Sequence, residues 1–206
     1  MKLFCSALTV AALAGLGAAL ERPALHSGAP LAADTYKVDP VHSTVVFHTK
    51  HVGISQTYGR FDRISAEKSA VTFDPADPGK SSLLLVIDAD SVDTNAPDRD
   101  KHVKSPDFFS VKEFPEIVFE SKKISGKSDD LEVTGDLTFH GVSKSVKAKA
   151  RLVGQGEVAM SRDYRAGFVA EFQIDMRDFG LDFVKKNPGA VGPEVALTVS
   201  LECVKE

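Results

Sequence analysis

The sequence predicts an all-β domain of about eight antiparallel strands. Three observations carry that prediction: strict period-two alternation in four long runs, short turns between the runs, and the absence of any long 3.6-residue period. A sheet of this kind has one apolar face. A single domain hides that face either by closing into a barrel or by stacking as a sandwich.

The N-terminus stands apart from this pattern. Met1-Lys2 is a short basic start, and Ala7 to Leu20 is an apolar run of mostly Ala, Gly and Leu that ends at Glu21-Arg22. The run is shorter than the ~20 apolar residues a spanning helix needs, so it reads as an export signal and not as an integral membrane span. Small residues suit cleavage after Ala19 or after Ala33. Cys5 precedes the run, which argues against a lipoprotein anchor. Residues 1–33 are therefore assigned to a signal peptide with a short linker, and residues 34–206 to a single domain, large enough for a sizeable core.

Strand-like sequence begins at Tyr36 and continues in Ser43–Val52. The stretch Gly53–Gly59, "GISQTYG", reads as a short helix. Phe61–Phe73 reads as a strand broken near Ser65, followed by Ser82–Ser91. Ala96–Val103, "APDRDKHV", is a second short helix candidate, with Asn95 as cap and Pro97 in the first turn. Ile117–Lys123 is the next strand. In Leu131–Phe139 the residues Leu131, Val133, Gly135, Leu137 and Phe139 alternate with Glu132, Thr134, Asp136 and Thr138. His140-Gly141 is a tight turn. The return strand sets Val142, Val146, Ala148, Ala150 and Leu152 against Ser145, Lys147, Lys149 and Arg151. Phe168–Met176 and Val195–Cys203 repeat the alternation, which places Cys203 inward as an inert thiol. Inward positions include Ala89, Gly135, Ala148, Ala150 and Ala170, small enough to leave a tunnel. The 13 Phe residues could instead fill the interior.

Charge and motifs exclude several functions. Removing residues 1–33 takes away Lys2, Arg22 and Glu21 and leaves 23 basic against 28 acidic residues, net −5. That balance argues against nucleic acid as a partner and against unspecific adhesion to an anionic membrane. Cys203, left alone, cannot form an intrachain disulfide. There is no G-x-S-x-G elbow, no H-E-x-x-H and no phosphate-binding G-x-x-x-x-G-K. "SAEK" at Ser65–Lys68 lacks the partner motifs of S-x-x-K enzymes, and "DADSVD" from Asp88 lacks the glycine and glutamate of a calcium loop. His42 and His48 share a strand face while His51 falls on the other, so no third metal ligand is evident. No metal, cofactor or catalytic residue is assigned.

Several stretches together resemble one family. They are "YKVDPVHSTVVFHTKHVGISQTYGRF" from Tyr36, "SVDTNAPDRDKHVKSPDFF" from Ser91, "FPEIVFES" from Phe114, "VTGDLTFHGVSKSV" from Val133 and "DFGLD" from Asp178. In this order and spacing the chain resembles the YceI-type, lipocalin-like, polyisoprenoid-binding periplasmic proteins over Tyr36 to about Val204. The resemblance implies an extended eight-stranded antiparallel lipocalin-like barrel with one or two short helices. Its apolar tunnel is expected to hold an isoprenoid or other long-chain lipid in the periplasm without chemistry on it.

That expectation gives the charged stretch from Ser91 a purpose. The walls need supply only apolar area, whereas a polar head group needs donors at the mouth. Arg99, Lys101, His102 and Lys104 are those donors, with Asp98 and Asp100 steadying the basic side chains and Phe108 and Phe109 tucking the loop onto the barrel. The alternative is a surface helix laced with salt bridges. Matching motif positions add His42, Ser43, His51, Tyr58 and Arg60 as pocket or mouth residues. Phe47, Phe119, Phe139, Phe168 and Phe172 are the candidate tunnel lining, on the same face that would form an ordinary core. Carriage or storage of the lipid is the leading reading. The alternatives are an accessory that presents a prenylated quinone to a membrane redox partner, and an enzyme that uses His42 or His102 as base.

Overall fold

A computed structural model describes residues 33–206. The expected signal segment, save its last residue, lies outside the described residues. The strands are β1 (Asp34–Val38), β2 (Thr44–His51), β3 (Ser55–Phe61), β4 (Ala70–Phe73), β5 (Ser82–Asp88), β6 (Val92–Asp93), β7 (Glu116–Lys127), β8 (Asp130–Phe139), β9 (Val142–Glu157), β10 (Tyr164–Asp175) and β11 (Val191–Lys205). Two short helices are present, α1 (Pro97–Lys104) and α2 (Asp182–Lys186).

Eleven segments make eight strands, because three pairs are halves of bent strands. β1 pairs with β4 and β2 with β3, so β1/β2 and β3/β4 run side by side. β4 pairs with β5 and β3 with β6, which makes β5/β6 the third member. From there the meander β5–β7–β8–β9–β10–β11 is antiparallel throughout. β11 closes the ring by pairing with both β1 and β2. The result is the closed, up-and-down, eight-stranded barrel that the family resemblance implies and one of the two closures the alternation left open, with no open sheet edge along its length among the described residues.

Period-two burial confirms which face is inward. β8 buries Leu131, Val133, Gly135, Leu137 and Phe139 and leaves the intervening residues partly or fully exposed. On β7 the pairing register shifts between Ser121 and Lys123, so the inward set passes from Ile117 and Phe119 to Ile124. A bulge changes parity in this way because one extra residue reverses the alternation beyond it. A second irregularity, opposite Gly167, leaves Val153 facing solvent. Gly135 is the one inward residue without a side chain on β8, and the Phe119 ring and the Glu120 carbonyl fill the place where its Cβ would be.

The structure corrects two local expectations and widens a third. The expected helix "GISQTYG" is the tip and first half of strand β3: Val52 and Gly53 both take positive φ, and Ile54 N–H donates to the His51 carbonyl at 3.0 Å. Polar Ser, Gln, Thr and Tyr there alternate on a half-exposed strand, a pattern too short to separate from one helical turn. The break expected near Ser65 is there and is wide: Phe61 ends β3, residues 62–69 form an irregular bend held by the Ile64–Ile87 bridge, and β4 resumes at Ala70. Asn95 does not cap α1. It sits at φ +61°, and Ala96 is the cap, without a side-chain hydrogen bond.

"DFGLD" has a packing role. Asp175 accepts from Arg177 N–H to start a 3-10 turn over Met176–Phe179, and Gly180 ends it at φ +76°. The turn drives Phe179 and Leu181 into full burial, and His140 Nδ1 donates to the Phe179 carbonyl at 3.1 Å. His140 and Gly141 both take positive φ, as a two-residue hairpin turn requires.

The bend between β1 and β2 is pinned by charge. Asp39 accepts from the Val41 N–H at 2.9 Å, from His42 Nδ1 at 2.8 Å and from Arg165 at 2.7 Å, and Arg165 also donates to Glu202 at 2.5 Å. Burial pushes the Asp39 carboxyl up, but the hydrogen bonds from His42, Arg165 and the backbone outweigh it and hold the group well below the usual carboxylate range. A carboxylate depressed by folding contributes stability above its unfolded pKa of about 3.9 and loses it as pH falls below that value. Asp39→Asn is expected to cost about 1.5–3 kcal/mol at neutral pH, the range for a charge-assisted hydrogen bond. It should also flatten the acid side of the stability curve, read by urea unfolding from neutral pH down to pH ~3.

Candidate functional site

The barrel is hollow. A cavity of about 380 Å³ runs inside it, within the size range of small-molecule sites. Its walls follow the inward parity: Val45, Phe47, Thr49 and His51 from β2, Leu83, Leu85 and Ile87 from β5, Ala148 and Ala150 from β9, Phe168, Ala170, Phe172 and Ile174 from β10. The solid-core alternative fails for a local reason. Ala148, Ala150 and Ala170 occupy inward positions on neighbouring strands, and two rings that could fill the gap are drawn back to the wall. Phe119 lies over Gly135, and Phe47 over Gly59, where a Cβ would collide with each ring.

Most polar groups of the lining gather at one end, beneath α1 and α2. Thr49, His51, Thr57, Thr94, Arg99 and His102 line the cavity there; Thr72, Ser81 and Ser82 lie on the β4–β5 side. Arg99 is fixed by Thr94, donating from Nε to the hydroxyl at 2.8 Å and from Nη2 to the carbonyl at 2.6 Å. Thr94 is in turn held by Asp100, whose Oδ1 accepts from its N–H at 2.8 Å and its hydroxyl at 2.5 Å. Asp100 thus steadies the arginine through the threonine and not by a direct ion pair. Among the described residues Arg99 has no carboxylate within 4 Å. His102 packs edge-on to Phe183 and Phe108, with ring centroids at 4.9 and 5.6 Å. The Thr49 hydroxyl lies 2.8 and 2.9 Å from the Gly192 and Glu194 carbonyls, where the register between β2 and β11 is irregular.

The sequence-predicted residues divide into two groups. Phe47, Phe119, Phe139, Phe168, Phe172, His51, Arg99 and His102 all line the cavity. His42, Ser43, Tyr58, Arg60 and Lys101 do not. His42 and Ser43 belong to the pinned bend, where the Ser43 hydroxyl accepts from the Glu202 N–H at 3.0 Å. Tyr58 points outward and packs at a tilt against His48, with ring centroids 5.0 Å apart, and Arg60 pairs outside with Asp62 and Asp93. Lys101 is exposed on α1. The salt-bridged-helix alternative for α1 is not what forms: of its basic residues only Lys104 has an acidic partner among the described residues, Asp90 at 3.6 Å. Phe108 and Phe109 are buried and anchor the loop as expected.

Sequence reasoning missed Thr94 and Phe183. Thr49 shares the parity of Val45, Phe47 and His51 and was legible from that alone; Thr94 lies in a loop with no periodicity to place it. Asp39, His42 and Glu202 converge like a metal cluster, but the Arg165 guanidinium bridges Asp39 and Glu202 and supplies the positive charge. Burial pushes the Cys203 thiol up to about 12, so it is protonated and unreactive at neutral pH.

A closed antiparallel barrel with an apolar interior and a polar mouth defines a lipocalin-like cavity protein. Residues 36–203 match the YceI-like domain, and the chain belongs to that family. It is 39% identical over 200 residues to a UPF0312 protein of Pseudomonas aeruginosa, covering 96% of this chain and 98% of that one. The crystal structure of Burkholderia cenocepacia BcnA superposes with a TM-score of 0.71 at 26% identity, over 80% of this chain and 98% of the other. A polyisoprenoid binding domain from Saccharophagus degradans shares the fold, with a TM-score of 0.59 at 16% identity over 83% and 98% of the two chains. No helix among the described residues is long and apolar enough to cross a membrane.

Thr94 is the joint of the mouth, and its replacement tests that directly. Thr94→Val keeps the shape, removes the hydroxyl that joins Arg99 to Asp100, and should cost about 1–3 kcal/mol in chemical unfolding. Thr94→Ser should retain most of the stability.

Proposed function

We propose that the protein binds an isoprenoid-tailed or similar long-chain amphiphilic lipid, tail inward along the barrel and head group at the α1 mouth, and carries or stores it without chemical change. One observation carries this reading: a continuous apolar wall that ends in a cluster of polar side chains. Burial supplies about 0.8 kcal/mol per methylene, so the tail provides the affinity. The head group keeps hydrogen-bond partners only if it stays at the mouth, which sets the orientation. The polyisoprenoid binding reported in the name of the Saccharophagus domain supports the same class of ligand. The apolar N-terminal run supports export, and we place the protein in the periplasm on that basis.

A binding role also accounts for the mouth better than catalysis does. His102 makes no side-chain hydrogen bond to a hydroxyl or carboxylate among the described residues, whereas a general base needs a neighbour to orient it; His42 has such a neighbour in Asp39 at 2.8 Å but belongs to the pinned bend and does not line the cavity. Arg99 and the threonine hydroxyls would serve a quinone as well as a phosphate. The quinone case would make the protein an accessory to a membrane redox partner.

Native mass spectrometry of the protein purified gently from its own cells, followed by solvent extraction, should release a stoichiometric long-chain lipid. Ala148→Phe places a ring in the cavity and should abolish lipid copurification while the barrel remains folded; Ala170→Phe is the second variant should the first unfold. Full lipid occupancy in a folded Ala148→Phe protein would contradict the tail's placement. A protein that releases no lipid would contradict the function.

A further inference from the structure

We propose that the β2–β3 hairpin tip docks the protein on a lipid bilayer, so that the cavity mouth opens against the membrane surface. The inference rests on the lipid-binding reading and adds the surface through which the ligand is exchanged. Val52 and Ile54 flank Gly53 at the tip and are 47% and 87% exposed. They stand directly beyond Thr49, His51 and Thr57, which line the mouth. Tyr58, also exposed, lies further along the outer face of the same hairpin, beyond the Lys50–Gln56 pair, with a ring of the amphipathic kind that suits a membrane interface.

Val52 makes the tip more than an exposed loop. Its φ is +45°, a left-handed conformation that β-branched residues rarely adopt and that Asn or Gly occupies readily in such a turn. Solubility and backbone strain would both favour Asn here. A strained, exposed valine is accounted for by a surface on which its side chain is buried. The Val52 N–H donates to the Ala190 carbonyl at 3.2 Å, which ties the tip to the segment carrying Lys185 and Lys186. The other exposed apolar side chains are differently placed: Val41 is at the β1–β2 bend, and Val153, Met160 and Tyr164 are toward the opposite end of the barrel. A bilayer fits the tip better than a protein does, because a long-chain lipid passes between membrane and cavity here without its whole tail entering water.

The chain contains no tryptophan, so Ile54→Trp and Met160→Trp each introduce a single tryptophan, excited apart from the three tyrosines, at opposite ends. With phosphatidylcholine vesicles the emission of Ile54→Trp should shift to the blue while that of Met160→Trp stays constant. Binding should persist at about 0.5 M salt, where exposed charges are screened, because the apolar tip supplies the attraction. Ile54→Asp should weaken vesicle binding roughly ten- to a hundredfold, the loss expected for one large buried aliphatic side chain. Val52→Asn should raise the melting temperature and still weaken binding, a pairing that misfolding cannot produce.

An unshifted Ile54→Trp spectrum, an equal shift at both sites, or a Val52→Asn protein that binds vesicles as wild type does would overturn the docking proposal. The first outcome, with lipid still released on extraction, would leave the cavity reading intact and direct the tip to a protein partner. A clear shift at Ile54→Trp in a protein that releases no lipid would uphold docking and remove the carrier reading.

Discussion

Closure of the barrel depends on one strand, β11, which has two partners on one side. It pairs with β10 from Glu194 to Val204, with β1 near its C-terminal end and with β2 over its N-terminal half. The chain bends between Val38 and Thr44, so that β1 and β2 pair with separate stretches of β11. At that bend the backbone leaves the ladder, and Asp39, Arg165, Glu202 and Ser43 take up the hydrogen bonds the strands do not make there. The network is partly buried, so its charges are screened less than surface pairs are, and removing one partner would leave the others desolvated without compensation.

With the ring closed, the interior is decided by which inward residues face one another. Small residues on β9 and β10 meet aromatic rings that the glycines on β3 and β8 pull toward the wall. Packing at ordinary interior density is the default for a protein core, and the cavity remains where Ala148, Ala150 and Ala170 face inward and the Phe47 and Phe119 rings lie against the wall glycines. Polar groups then collect where the strands end and the two helices lie across the opening, since inside the barrel they would have lost water without gaining partners.

The division between what was legible and what was not follows the range of the interactions. Alternation in β8, β9, β10 and β11 was plain because each has one wet and one dry face. The hairpin at His140-Gly141 was plain because that turn needs two residues tolerant of positive φ. "GISQTYG" misled because its alternation is too short to separate from one helical turn and the turn before it holds Val52 where turn chemistry favours Asn. Among the site residues, the five phenylalanines and His51 were reachable by parity. Family motifs drew His42, Ser43, Tyr58 and Arg60 into the candidate mouth, but their side chains serve the bend and the outer surface.

The sequence by itself determined the class of fold, the inward face of each long strand and the apolar character of the interior, because these depend on residue type and on a period of two. Tertiary structure alone decided three things. It decided that the barrel is hollow, since that requires knowing which small residues face which rings across several strands. It decided that Arg99 reaches the mouth through Thr94 and Asp100, since that contact forms in a loop without periodicity. It also decided that the three halved strands count as one each, since a bend joins or separates strands only through the partners on either side.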